Sequence, residues 1–217
     1  AVSLKSLIPA DKRLQWLSAA RLFLFGSRDA WFVVGLPIFL SASLGWSHEA
    51  VGGFLASWII GYGIVQASAP ALLARSSSAS EKQPTSAAQL GRWKIALLIP
   101  LLGILAGLQA DLSPTLVLVG GLVVFALIFA INSAVHSYLV VAYAEEDTIA
   151  LNVGFYYMSN AAGRLLGTVL SGVLFGWAGQ GTNGLTACIV ASVLLVVVGS
   201  ALCVPLQHAE TRYLKEA

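Results

Sequence analysis

The stretch FGSRDAWF, residues 25–32, sets Arg28 beside Asp29 inside a run, 15–42, that is otherwise almost wholly apolar. Arg21 precedes Arg28 by seven residues, two turns, so a helix carries both on one face. Arg164 lies equally deep in a later apolar run. Each such charge costs at least about 2.5–3.5 kcal/mol at a bilayer centre and has to face protein or water. Three guanidiniums against the one carboxylate of Asp29 leave a surplus of two positive charges. A guanidinium offers a planar fork of donors suited to phosphate, arsenate and carboxylate oxygens, and it keeps its proton. The chemistry these residues point to is recognition of an anion.

Other polar side chains recur at helical spacing: Trp58, Tyr62 and Gln66; Asn132 and His136; Asn152, Tyr156, Asn160 and Arg164. With Arg21 and Arg28, the candidate substrate contacts are Arg164, Tyr62, Gln66, Asn132, Tyr156 and Asn160. Asp29 and His136 are the candidates for carrying a coupling proton. Structural alternatives stand beside each. Arg21 can snorkel to an interface, His136 can be a hydrogen-bonded packing residue, and the asparagines can tie helices together. Arg28 and Asp29 are consecutive, so their side chains leave a helix about 100° apart. They are expected to pair poorly with each other, which leaves Asp29 free to bridge to Arg164 or to a part of the molecule outside this chain.

Hydrolysis inside a membrane needs a Ser–His pair, an Asp pair or a metal. The chain has one intramembrane Asp, one intramembrane His, no GxSxG and no HExxH. The reading is therefore not an enzyme, with no metal and no cofactor. Cys188 and Cys203 stand fifteen residues apart in one run, about 22 Å along a helix. That is far beyond disulfide reach.

The elements that position these residues follow from composition. Hydrophobic residues make up 58% of the chain and charged ones 10%, with a mean hydropathy of +0.83. A soluble domain carries about a quarter charged residues, so this chain is expected to be an all-α polytopic membrane protein. Six runs are long enough to cross as helices: about 15–42, 49–74, 93–110, 114–142, 149–178 and 185–206. Short polar or glycine-rich links join them. The exception is 75–92, RSSSASEKQPTSAAQLGR, which reads as a flexible loop. Ser47 is expected to cap the second span, with Glu49 in its first turn. The layout is a leading segment 1–14, a six-helix domain 15–206 and a tail 207–217. The chain opens on Ala1 with no apolar leader, and is expected to be a piece of something longer.

Nine of the twelve basic residues flank the spans: Lys5, Lys12, Arg13, Arg75, Lys82, Arg92, Lys94, Arg212 and Lys215. All nine fall on one side of a six-crossing topology. The positive-inside rule then makes both termini cytoplasmic. The third and sixth spans carry almost no polar groups, whereas the first, second, fourth and fifth each have a polar stripe. The expectation is a polar interior shared by those four, with the third and sixth facing lipid. GxxxG spacings at Gly103/Gly107, Gly163/Gly167 and Gly172/Gly176 are expected to mark close helix contacts.

This distribution, with cytoplasmic termini and a long loop between the second and third spans, resembles one six-helix half of a major facilitator superfamily transporter. The segment LGRWK, 90–94, is similar to the basic loop motif of that superfamily, while the preceding ALLARSSSAS lacks its Gly and Asp. The stretches RDAWFVVGLPIFL, GGFLASWIIGYGIVQASAP and YYMSNAAGRLLGTVLSG look like the C-terminal half of the organoarsenical efflux permeases of arsenic-resistance operons. What that resemblance implies is export of 1-arseno-3-phosphoglycerate, made by a glyceraldehyde-3-phosphate dehydrogenase as functional partner, with a further six-helix half completing the molecule. No nucleic-acid partner is implied. Competing readings are a permease for another organic anion such as a sugar phosphate, a drug transporter, a six-helix homodimer and a non-transporting scaffold or receptor.

Overall fold

Three of the long rods break just ahead of a proline. Proline has no N–H to give to the carbonyl four residues back, and its ring crowds that carbonyl. Pro37, Pro100 and Pro205 each stand four residues after a break: at Val33, at the junction Ala96–Leu97, and at Ala201–Leu202. The computed structural model describes residues 8–76, 86–110, 112–144 and 148–216, with backbone only over 69–76. Within them the first rod is α1 (Lys12–Phe32), α2 (Gly35–Ile38) and a π-helical turn (Phe39–Ser43). The second is α3 (His48–Ser76). The third is α4 (Ala87–Ala96) with α5 (Leu98–Gln109). Then come α6 (Pro114–Tyr143) and α7 (Ile149–Trp177), and the last rod is α8 (Gly181–Ala201) with α9 (Cys203–Glu216). No strand occurs among the described residues.

The chain is thus all-helical, and five rods are long and apolar enough to cross a membrane: 12–43, 48–68, 87–109, 114–143 and 181–216. The sixth, α7, is 29 residues, about 44 Å as helix. It is not among those five, and Asn152, Asn160 and Arg164 interrupt its apolar sequence. It lies along α1 in the most extensive interhelical contact of the fold, with α8 on another side of α1 and α3 against α6.

Local signals set the ends. Asp11 caps α1, accepting from the Arg13 amide at 2.7 Å, and Ser86 accepts from the Gln89 amide at the start of α4. Ser47 caps α3 as expected, accepting from the Ala50 amide at 3.2 Å. Pro114 opens α6, where its missing N–H has no helical partner to lose. Between α7 and α8 the chain reverses through Gly179, Gln180 and Gly181, all at positive φ, which the glycines adopt without strain.

Several boundaries differ from the sequence reading. The third rod begins at Ala87 and so includes LGRWK, which is helix rather than loop. Residues 77–85 of the expected loop, and 1–7 of the leading segment, lie outside the described residues. The expected tail 207–217 is helical through Glu216, because Pro205 bends the last rod without ending it. The third and sixth spans are not purely lipid-facing either. Leu101, Ile104, Cys188, Ile189 and Val196 are buried on one side, while Ile99, Leu102, Leu194 and Val197 are exposed on the other.

Buried apolar residues form two clusters. The larger runs from Leu24 and Phe25 through Trp31, Leu122 and Phe129 to Ile189. The smaller gathers Leu14, Leu17, Leu90, Leu139 and Leu206. Between them, on α1 and α6, sits a polar layer: Arg21, Asn132, Ser133 and His136, all buried.

Candidate functional site

Glycines bring the charges together. A Cβ on Gly163 would fall onto the Leu22 carbonyl oxygen, and one on Gly167 would lie 2.5 Å from that of Gly26. Only bare backbone lets α7 approach α1 so closely, which is the use of small residues at membrane-helix crossings. Of the three expected GxxxG pairs, this one is a two-glycine crossing. Gly107 faces Val117, whereas Gly103, Gly172 and Gly176 meet nothing within 4 Å.

At this crossing Arg164 on α7 reaches Asp29 on α1. Its Nε donates to Asp29 Oδ2 at 3.2 Å, and Arg28 Nε donates to Asp29 Oδ1 at 2.6 Å. The bridge to Arg164 matches expectation, but the poor pairing expected of Arg28 with Asp29 does not hold. The Arg28 side chain is long enough to fold back over 100°, and a carboxylate has an oxygen for each guanidinium. Asp29 is 1% exposed at its side chain, Arg28 12% and Arg164 57%. The triad therefore grades from a buried acid to an open cation.

Arg28 continues inward through aromatic faces. Its guanidinium carbon stands 4.7 Å from the Phe25 ring centre and 5.4 Å from that of Phe129. Arg21 stands 4.2 Å from the same Phe25 ring. Residues 21, 25 and 28 share one helix face, so one ring serves both cations. Such contacts contribute up to about 2 kcal/mol each when desolvated.

Arg21 is the deepest of the three. Its Nη1 donates to Ser133 Oγ at 3.0 Å, and the Tyr62 hydroxyl donates to the same oxygen at 3.4 Å. Tyr62 stacks on Trp58 at 5.8 Å, and Trp58 Nε1 donates to the Leu122 carbonyl at 2.9 Å. On the other side Arg21 lies 5.0 Å from the Tyr156 ring. Arg21 from α1, Tyr62 from α3, Ser133 from α6 and Tyr156 from α7 thus converge. These are the first, second, fourth and fifth rods, the four expected to share a polar interior. Arg21 makes no ion pair among the described residues.

The remaining candidates divide. His136 is buried with its ring 6.3 Å from Tyr156, which puts it in the polar layer. Asn132 donates from Nδ2 to the Leu90 carbonyl at 3.4 Å and ties α6 to α4. Asn160 is half-buried on α7, and Gln66 half-buried on α3. Asn152 donates to Thr148 Oγ1 at 3.0 Å within its own segment, so it stands apart from the site. Among the described residues, Arg21 Nε, Asn132 Oδ1, both His136 nitrogens, the Tyr156 hydroxyl and Asn160 Oδ1 are buried without a hydrogen-bond partner. Each such group costs about 1–3 kcal/mol unless something meets it, so the layer keeps unused capacity for a polar ligand or water.

Three participants escaped the sequence reading. Ser133, the shared acceptor, lies three residues before His136 and is legible as part of that stripe. Phe25 stands four residues after Arg21 and three before Arg28. Lys94 was expected to flank a span at the aqueous surface. It is instead fully buried, and its Nζ donates to the Ala20 carbonyl at 2.6 Å, one residue from Arg21. Composition carries no signal for that.

No group of three or more His, Cys, Asp or Glu residues among those described is placed to hold a metal. Cys188 and Cys203 are both free and buried. No family model matches the chain, and no curated protein matches it either.

Proposed function

We propose that this chain is one six-helix half of a major-facilitator-type secondary transporter that moves a small organic anion by alternating access. In this reading all six rods cross, with both ends cytoplasmic. The carrying observation is the charge balance of the convergent site. Asp29 is shared by Arg28 and Arg164, and Arg21 is buried among aromatic rings and hydroxyls with no ion-pair partner among the described residues. Three guanidiniums against one carboxylate leave two positive charges for a ligand to neutralise, with the Lys94 ammonium held nearby on the Ala20 carbonyl, and guanidiniums hold oxyanions through paired donors.

The geometry supports a sequence of events. Arg164, more than half exposed, meets the anion first, and the anion competes with Asp29 Oδ2 for its Nε. Arg28 supplies the next donor, and Arg21 with Tyr62 and Tyr156 forms the inner wall. Asp29, released from Arg164, becomes the group able to take a coupling proton, with His136 as the second candidate. The opposite wall comes from the other half of the molecule. The resemblance of residues 28–40, 52–70 and 156–172 to organoarsenical permeases narrows the substrate to an arsenylated phosphoglycerate. A glyceraldehyde-3-phosphate dehydrogenase would supply it, in a bacterial inner membrane.

The test is uptake into inside-out vesicles carrying the full-length protein, with arsenylated phosphoglycerate compared against phosphoglycerate and a sugar phosphate. Arg164→Gln and Arg21→Gln should each reduce transport at least tenfold while leaving the protein folded. Equal transport of all three anions would assign a general organic-anion permease. Unchanged arsenate resistance in cells carrying Arg28→Gln with Arg164→Gln would sink the anion site.

A further inference from the structure

A basic cleft lies away from the arginine site, where the first and last rods leave the apolar region. It holds about 300 Å³ between the start of α1 and α9, and its walls include Lys12, Trp16, Pro205, His208, Arg212 and Tyr213. That volume is at the lower end for small-molecule sites. A second cleft of about 280 Å³ adjoins it, sharing His208, Arg212 and Glu216 and adding Lys215.

The charges here are not all free. Arg13 is held by Asp11 at 2.6 Å, and its guanidinium lies 3.4 Å from the Tyr213 ring centre. That pair is neutral and builds the floor. Lys12, Arg212 and Lys215 are exposed and make no ion pair among the described residues. Against them stands Glu216, so the joined clefts carry a surplus of two positive charges. Their walls are also partly apolar. Trp16 and Tyr213 are the residue types that settle at the boundary between hydrocarbon and water. Val204, next to Pro205, is 52% exposed, and Val197 two turns earlier is 49% exposed.

We propose that this cleft binds the headgroup of an anionic glycerophospholipid, with Lys12 and Arg212 on the phosphate and an acyl chain lying along Val204 and Val197. A soluble anion would use the cations but has no use for the aromatic wall and the apolar strip leading from it. Basic pockets at the ends of membrane helices take lipid phosphates in this way. The site is separate from the arginine cluster, so its failure leaves the transport reading standing.

The experiment uses the full-length protein in detergent, with lipid retention read by native mass spectrometry and stability by thermal unfolding. The probes are phosphatidylglycerol, phosphatidylcholine and inorganic phosphate. Phosphatidylglycerol should be retained and should raise the unfolding midpoint, and the other two should do neither. Lys12→Gln with Arg212→Gln should weaken retention about 25-fold, at about fivefold per basic residue. Arg92→Gln, an exposed basic residue on α4, should leave it unchanged. Wild-type retention by the double variant would overturn the proposal. So would an equal shift from inorganic phosphate, which would assign a soluble-anion site, or equal retention of phosphatidylcholine, which would assign an apolar groove alone.

Discussion

Replacing Gly167 by Ala puts a methyl carbon 2.5 Å from the Gly26 carbonyl oxygen, 2.9 Å from Asp29 Cβ and 3.0 Å from the Ala30 amide nitrogen. None of these atoms can swing aside, since all are main chain or the first side-chain carbon of α1. Helix α7 therefore has to retreat until the shortest contact reaches about 3.4 Å, a shift of nearly 1 Å. Overpacking of this kind costs about 1–3 kcal/mol. Alanine returns up to about 1 kcal/mol through its better helix propensity, so the expected net loss is about 1–2 kcal/mol. Arg164 is long and half-exposed and can follow the carboxylate, which leaves packing as the term that decides. Gly172→Ala is the matched comparison on the same helix. No atom stands within 4 Å of its Cβ position, so only the propensity gain operates and stability should hold or rise. Thermal unfolding of the full-length variants in one detergent reads the difference. Gly167→Ala should unfold at a lower midpoint than the parent, and Gly172→Ala at the parent's or above. Equal midpoints for the pair would mean that α1 and α7 do not cross backbone to backbone, and the juxtaposition of Arg164 with Asp29 would lose its basis.

Asp29→Asn keeps the side-chain shape but leaves one oxygen for two guanidiniums and turns an NH2 toward one of them. A loss of about 1–3 kcal/mol is expected, less than the about 3–5 kcal/mol for a fully buried pair, because Arg164 is screened by its exposure. A double-mutant cycle with Arg164→Gln should show coupling, and strict additivity would deny the bridge. Lys94→Met removes a buried cation whose hydrogen-bond partner among the described residues is the Ala20 carbonyl. Its unfolding midpoint should equal or exceed the parent's, since a well-packed apolar replacement avoids the cost of burying charge. A drop as large as that of Lys94→Ala would show the ammonium itself to be stabilising. Glu210 accepts from the Tyr143 hydroxyl at 2.6 Å and from the Ala87 amide at 3.1 Å, joining α9 to α6 and α4. Glu210→Ala should cost about 1–2 kcal/mol. Tyr143→Phe added to it should cost little more, as measured by the same unfolding assay.

Hydropathy alone marked this chain as helical, with rods long and apolar enough to cross a membrane. A span needs only enough consecutive apolar residues, and that is a property of the local sequence. The polar stripes were equally legible, because helical periodicity puts Arg21 with Arg28, and Tyr156 with Asn160, on one face without reference to any neighbour. Prolines alone did not settle the rod breaks: Pro37, Pro100 and Pro205 each follow one by four residues, whereas Pro70 lies within unbroken α3. Tertiary structure decided the pairings. That one carboxylate serves both Arg28 and Arg164 depends on α7 resting on bare glycine backbone, and nothing in the residue spacing separates Gly163 and Gly167 from Gly172 and Gly176. Lys94 reads as a surface charge until α1 and α8 close over it, since burial belongs to the neighbours a residue acquires. Local sequence fixes periodicity and length, whereas contact energies depend on which faces meet, and those are settled between helices far apart in the chain.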